Sequence, residues 1–426
     1  MAEPTAAMSR TASPQRFLAP DLARGLMLLG IALANAVHIW VGNPEAELVT
    51  GYGGVYDNSI LDKITVVLGA MFIHMRGLPM FSMLLGFGVG LIILSLERRG
   101  FPVGEAKQMI ARRYGFLTLL GLLHMVFLFY GDIIFFYGLA AIVLGLMITL
   151  RDKTLLWIAG TLFSLQATFY TLLGVVIIIF AESGGLFSLP TGFGDPQTYA
   201  ENLQLGLFSL GLGLLVFPFQ LMTFLPLMLL GFVAARRGIH RNTGAHLRLL
   251  WIWVGVGVAV VLVIGLPWGL AEIGVLPTGL AAGLRLINLG LGLLTGPAII
   301  ASIALVCQPL QERLNHHSET GETPRLALPL RAVTALGKRS LTGYVLQSVF
   351  FLILLRPFWL GLGIGQGAFE VSLIALGVWL LTVLLALGLD YAGRPGPLEQ
   401  LHRRLSYGRE GLPDRWQPKQ RGGALT

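Results

Sequence analysis

A chain of 426 residues that is 55% hydrophobic, only 12% charged and has a mean hydropathy of +0.74 is too apolar to be a soluble globule. Its formal charge of +8 sits in basic clusters beside apolar runs, which is what membrane orientation requires, so nucleic acid is set aside as a partner. The single cysteine, Cys307, excludes an intramolecular disulfide and a Cys-cluster metal site; no metal is expected, and HExxH, complete GxGxxG and GxSxG patterns are absent.

Residues 1–20 are polar and read as a disordered cytoplasmic leader. ALANA at 32–36, after LMLLGIALA, also fits a signal-peptide cleavage site, but apolar character continues to Val41 and favours an uncleaved first helix. Apolar runs long enough to cross a core of ~30 Å follow near 22–42, 64–96, 114–130, 132–150, 154–181, 203–235, 249–269, 280–307, 340–360 and 368–389. Residues 61–75 fit either part of a span or an interfacial stretch before Gly77, and Pro218 and Pro226 are expected to kink or break the sixth run. The loop 308–337 and the tail from 390 are basic and too short for a second domain. The expectation is an all-α, polytopic transmembrane bundle of about ten spans: one membrane domain over 21–408, followed by a basic cytoplasmic tail at 409–426.

Orientation follows from Lys and Arg. Lys63 falls in an outer loop and Arg24, Arg76, Arg285 and Arg356 inside spans; the rest of the 30 basic residues lie on one side, which the positive-inside rule makes cytoplasmic, with both termini there. Arg98–Arg99, Arg112–Arg113, Arg151 with Lys153, Arg236–Arg237 and Lys338–Arg339 recur between alternate pairs of spans.

Polar residues inside apolar runs are the candidate site, because an ion at the bilayer centre costs about 2.5–3.5 kcal/mol on insertion scales and must face protein or water. Asp21 and Arg24, three apart, share a helix face and suit a structural ion pair or a substrate contact. Asn35 suits an interhelical hydrogen bond or a catalytic role, and His38 the outer interface. His74 and Arg76 precede a Gly-Leu-Pro break, where a fixed cation beside irregular backbone suits an anion, although snorkelling explains it equally well. Arg285 and Asn288 are one turn apart; Glu272 and Glu370 read as solvated. His124 lies six residues before Tyr130, roughly 9 Å into the hydrocarbon zone. Asp132 is expected in a tight outer turn at Gly131–Asp132, capping the next helix without being buried.

The stretches DLARGLMLLGIALAN (21–35), RGLPMFSMLLGFGVG (76–90), GLLHMVFLFYGDIIFFYGL (121–139), PLMLLG (226–231), LGKRSLTGYVLQS (336–348) and GPLEQLHRRLSYG (396–408) together resemble the YeiB-like family of bacterial membrane proteins, the domain-of-unknown-function 418 family. The resemblance runs in order over residues 16–408 and implies a multi-pass protein of the bacterial cytoplasmic (inner) membrane. The Asp-x-x-Arg-Gly pattern followed by Asn also resembles the membrane acyltransferase superfamily that includes heparan glucosaminide N-acetyltransferases, where an Asn and a His near the first helix support acetyl transfer. Asn35 matches that Asn; that superfamily's His follows at a longer spacing than His38, so the role is not carried to His38.

Two functions are therefore expected to compete. One is acyl transfer from acyl-CoA, approaching the basic side, to a hydroxyl or amine acceptor, with His124 as base and Asn35 as the orienting or oxyanion-stabilising group in one shared cavity. The other is secondary transport of a small or lipid-like substrate along intramembrane polar residues and the Pro-containing sixth helix. Arg76, Asp132, Asp21, Arg24 and Gln347 are the substrate-binding candidates. Acyl-CoA is the expected donor, no tightly bound cofactor is expected, membrane lipids are the surrounding partners, and oligomers are allowed.

Overall fold

The structure is a computed structural model that describes residues 17–42, 45–182, 196–239, 243–320 and 326–417. Most of the expected leader, residues 183–195 and the end of the basic tail lie outside the described residues.

Helix α1 (Leu18–Asn35) runs on through a π-helical turn at Ala36–Trp40. A small antiparallel hairpin follows, β1 (Leu48–Thr50) with β2 (Gly53–Val55), pairing Leu48 with Val55 and Thr50 with Gly53. Helices α2 (Ile60–Phe72) and α3 (Gly77–Arg98) form one interrupted segment, and α2 starts where the Ser59 hydroxyl accepts from the Asp62 amide. Next come α4 (Val103–Phe127), the short α5 (Ile134–Leu146), α6 (Asp152–Glu182) and α7 (Tyr199–Arg236). The α7 start is capped by Thr198, which accepts from the Glu201 amide.

Helix α8 (Leu247–Val260) continues through a π turn into α9 (Leu266–Glu272), and α10 (Gly279–Leu291) through a 3-10 turn into α11 (Thr295–Thr320). Helices α12 (Leu328–Lys338), α13 (Ser340–Leu355), α14 (Ala368–Tyr391) and α15 (Pro397–Tyr407) complete the described chain.

Eight of these segments are long and apolar enough to cross a membrane, and nine if α12 and α13, bent by 88°, count as one span. The protein is therefore an all-α, multi-pass membrane protein apart from the small hairpin. The expected ten reduces to eight or nine because α5, with 13 residues, is about 20 Å long and does not fill a ~30 Å core by itself. Pro218 and Pro226 do not break α7, which stays helical over 38 residues. Each removes one backbone donor while neighbouring helices hold the segment in place.

Close approach of α3 and α7 gives the bundle its centre. A Cβ on Gly86 would stand 1.9 Å from the Met228 carbonyl oxygen, and one on Gly231 would stand 1.9 Å from that of Met83, so each glycine receives the other helix's backbone. Around this contact a core of Leu28, Val89, Ile110, Ala140, Leu144, Met228, Phe232 and Leu336 is packed almost free of exposure. A second cluster, with Trp40, Tyr52, Val66, Phe129 and Phe351, lies toward the hairpin end.

Candidate functional site

Helix α4 ends at Phe127, and the chain reverses over Leu128–Ile133 before α5 begins. Because α5 is short and its first turns are buried, this reversal lies within the thickness of the bundle rather than above it. Non-helical backbone at that depth is tolerated only where protein or a cavity surrounds it. The expected exposed outer turn is therefore corrected: Asp132 is 3% exposed.

The Asp132 carboxylate does two jobs. Its Oδ2 accepts from the Phe135 amide at 2.8 Å, capping the first turn of α5 as expected. Its Oδ1 lies 2.8 Å from His124 Nδ1. His124, on the last turn of α4, is 2% exposed, and its Nε2 is buried with no hydrogen-bond partner among the described residues. A carboxylate accepts only, so Nδ1 is the donor of this contact, and in the neutral ring Nε2 is then the lone-pair nitrogen. The ring stands 5.1 Å, centroid to centroid, from Tyr344 on α13 and 6.2 Å from Phe129.

Two cavities approach this pair from different directions. One, of about 320 Å³, has a charged mouth that includes Asp21, Arg24, Arg113, Lys338, Glu399 and His402, and an apolar throat that ends at Ile133, Tyr137 and Tyr344. The Tyr344 hydroxyl is buried beside the Asp132 carboxylate and the Ile133 backbone, both of which act on it as hydrogen-bonding groups, whereas that of Tyr137 donates to the Leu78 carbonyl at 2.8 Å. The other, of about 370 Å³, is lined by Asp132 and Ile133 and by Tyr130, Gln166, Ser209 and Gln220. Ile133 belongs to both linings, so the reversal carrying Asp132 is the partition between them.

Of the substrate-binding candidates, Asp21 and Arg24 form the expected i,i+3 contact at 3.5 Å and sit together at the mouth of the first cavity. Gln347, one turn beyond Tyr344, is 2% exposed, and neither amide atom is hydrogen-bonded among the described residues. Asn35 is half-buried at the end of α1, and neither it nor His124 is among the residues that line these two cavities, so the expected shared cavity does not bring the pair together. Arg76 does not join the site. Its guanidinium, 2% exposed, donates to Asn288 Oδ1 at 2.9 Å and to the carbonyls of Met71 and Ala70.

Arg76 belongs instead to a second polar cluster toward the hairpin. There Arg285 Nη2 lies 3.4 Å from His38 Nε2, His38 meets His74 edge to face, and His74 meets Trp268 in the same way. Glu272, expected to be solvated, accepts from Trp268 Nε1 at 2.7 Å and from the Gly51 amide at 3.0 Å, so the hairpin covers it. Glu370 is exposed, as expected.

The sequence reading missed Tyr344, Tyr137, Gln166, Ser209 and Gln220. Tyr344 was within reach, since it lies three residues before Gln347 in LGKRSLTGYVLQS and thus on the same helix face. The others lie on three helices, Tyr137 on α5, Gln166 on α6 and Ser209 and Gln220 on α7, and only tertiary packing brings these together.

Residues 234–409 match the family described as a protein of unknown function, DUF418. This stretch is a DUF418 domain. Neither a curated protein nor a solved structure matches the chain. The DUF418 stretch holds two of the six quoted motifs, LGKRSLTGYVLQS and GPLEQLHRRLSYG, and supplies Tyr344, Gln347, Glu399 and His402. His124 and Asp132 lie before it, so the site is built jointly by the DUF418 domain and the preceding half of the chain.

Proposed function

We propose that the protein is a membrane-embedded acyltransferase that moves an acyl group from acyl-CoA to a hydroxyl or amine acceptor. The observation that supports this reading is the open Nε2 of a buried His124 whose Nδ1 is held by Asp132. A fixed tautomer with a free lone pair is what a general base needs. His124 Nε2 takes the proton of the acceptor as its oxygen or nitrogen attacks the thioester carbonyl. The C–S bond then breaks, and His124 returns the proton to the departing thiolate. Asp132 orients the ring and stabilises the imidazolium formed in between. Tyr344, whose hydroxyl stands at the end of the first cavity beside Asp132, is the donor placed for the carbonyl oxygen as charge develops, a role the sequence suggested for Asn35. The donor's phosphates suit the mouth with Arg24, Arg113 and Lys338, and the acceptor suits the second cavity.

In this reading α5 and its reversal complete one crossing and the bent α12–α13 another, giving ten traversals with both termini and the basic loops on the cytoplasmic side of a bacterial inner membrane. A cysteine placed at Thr278 in a Cys307→Ser background is then labelled by an impermeant thiol reagent in intact cells; labelling only after lysis would reverse the orientation.

The partition between two cavities also supports a second reading, secondary transport of a small or lipid-like substrate by alternating access. Purified protein assayed with acyl-CoA and an acceptor mixture separates the two. Acyl transfer gives release of free thiol that depends on His124, whereas flux into sealed vesicles with no thiol released would replace the first reading by the second.

A further inference from the structure

We infer that the protein holds one anionic phospholipid of the leaflet on the Arg237 side, in a third cavity that neither reading above uses. This cavity, of about 360 Å³, lies between the start of α1 and helices α3, α7, α8 and α11. Its wall is apolar, with Phe87, Leu230, Leu250, Pro297, Ala301 and Ala304, and Arg237 is the one charged residue among the described residues that line it.

Length and charge together select the occupant. Along α11 the lining runs from Gln311 at the rim to Pro297, 14 residues or about 21 Å. One leaflet contributes about 15 Å of a ~30 Å hydrocarbon core, so the slot reaches from headgroup level to the region of the bilayer centre. That is the reach of a lipid acyl chain. At the rim, Asp152 is shared by Arg236 and Arg237, each at 3.2 Å, so two guanidinium groups meet one carboxylate and a positive charge is left over. The Arg237 side chain is 51% exposed and engages Asp152 through Nε. Its terminal nitrogens therefore face the level at which a lipid phosphate sits. Thr243, Gln308 and Gln311 complete a polar rim around the apolar slot. This amphipathic order, a cation above hydrocarbon, is that of an anionic lipid.

Cys307, the only cysteine, lines the slot at 4% exposure and reports its occupancy without engineering. Protein purified in mild detergent and examined by native mass spectrometry is expected to carry one phospholipid per chain. In an equimolar mixture of phosphatidylglycerol and phosphatidylcholine it should take the anionic lipid about fivefold over the neutral one, the discrimination one surface arginine supplies. Added phosphatidylglycerol should slow alkylation of Cys307 by N-ethylmaleimide. Ala304→Phe, which fills the slot, should lose the adduct, and Arg237→Gln should keep a lipid but lose the preference for charge. No adduct on the wild type, an unchanged adduct in folded Ala304→Phe, or a Cys307 alkylation rate indifferent to the lipid would each overturn the proposal. If Ala304→Phe does not fold, Arg237→Gln and Cys307 protection decide, and an unchanged preference in Arg237→Gln overturns the assignment of the headgroup.

Discussion

Asp62 and Asp132 are two aspartates with nearly the same burial, 2% and 3% exposed, each next to a helix start. The oxygens of Asp62 accept from the Phe369 amide at 2.9 Å and the Tyr56 amide at 3.3 Å, tying the start of α14 to the hairpin and α2. Asp132 spends one oxygen in the same way, on the Phe135 amide, and the other on His124. Amide partners are fixed donors that hold a carboxylate in place; an imidazole partner is a second group that can take and release a proton. What separates the two carboxylates is the imidazole partner of Asp132, and it is Asp132 itself, not His124, that lines the second cavity.

Exchanging the partners tests the comparison most severely. His124→Gln keeps a polar side chain against Asp132 but has no base; turnover of acyl-CoA should fall by about 10²–10⁴-fold while the purified protein stays monodisperse with an unchanged melting temperature. Wild-type turnover in that variant would return the pair to structure. Asp132→Asn should leave the α5 cap largely intact and lower kcat by about 10²-fold, with little effect on KM, because it disturbs the histidine tautomer.

At Asp62 the effect should appear in stability instead. Asp62→Ala strands two amide donors and should cost about 3 kcal/mol, read as a lower unfolding midpoint, with turnover per folded molecule unchanged. Loss of turnover at full stability would break the distinction between the two sites.

The smallest effect concerns a histidine outside the membrane segments. Burial first, and the charge of Arg113 second, push the pKa of His402 on α15 from 6.5 down to about 4, while its bond to the Arg113 carbonyl at 2.8 Å pulls the other way. Above pH 6.5 His402 is neutral whether α15 is docked or free, and its contribution to docking is complete. As pH falls toward 4 the free helix takes up a proton that the docked one refuses, so docking weakens. Hydrogen exchange over residues 397–407 should rise in that window, and His402→Gln should remove the step. Exchange independent of pH in the wild type would show that α15 is held by its other contacts, Glu399 on the Leu341 and Thr342 amides among them.

These outcomes bear on what the sequence disclosed. Long apolar runs announced most of the helices, and the i,i+3 spacing of Asp21 and Arg24 announced their contact. The capping role of Asp132 was legible because it is local; its burial was not, since that depends on α5 being too short to carry the reversal to the surface. Arg76 shows the same limit, because its acceptor Asn288 is 212 positions away and no spacing reveals it. The Lys338–Arg339 pair looked like one more basic surface cluster. It marks the 88° bend between α12 and α13, where Arg339 donates to the Arg394 carbonyl and to Asp390.

The shortness of α5 has an electrical consequence. Its 13 residues set the Asp132 reversal about 20 Å, or roughly two thirds of a ~30 Å core, from the end that leads to Arg151. A full crossing changes the energy of one elementary charge by about 2.3 kcal/mol per 100 mV. An elementary charge at that depth, with packed protein between it and the Arg151 side, therefore feels about 1.5 kcal/mol of every 100 mV. The membrane voltage therefore acts directly on any charge that the buried His124–Asp132 pair gains or loses.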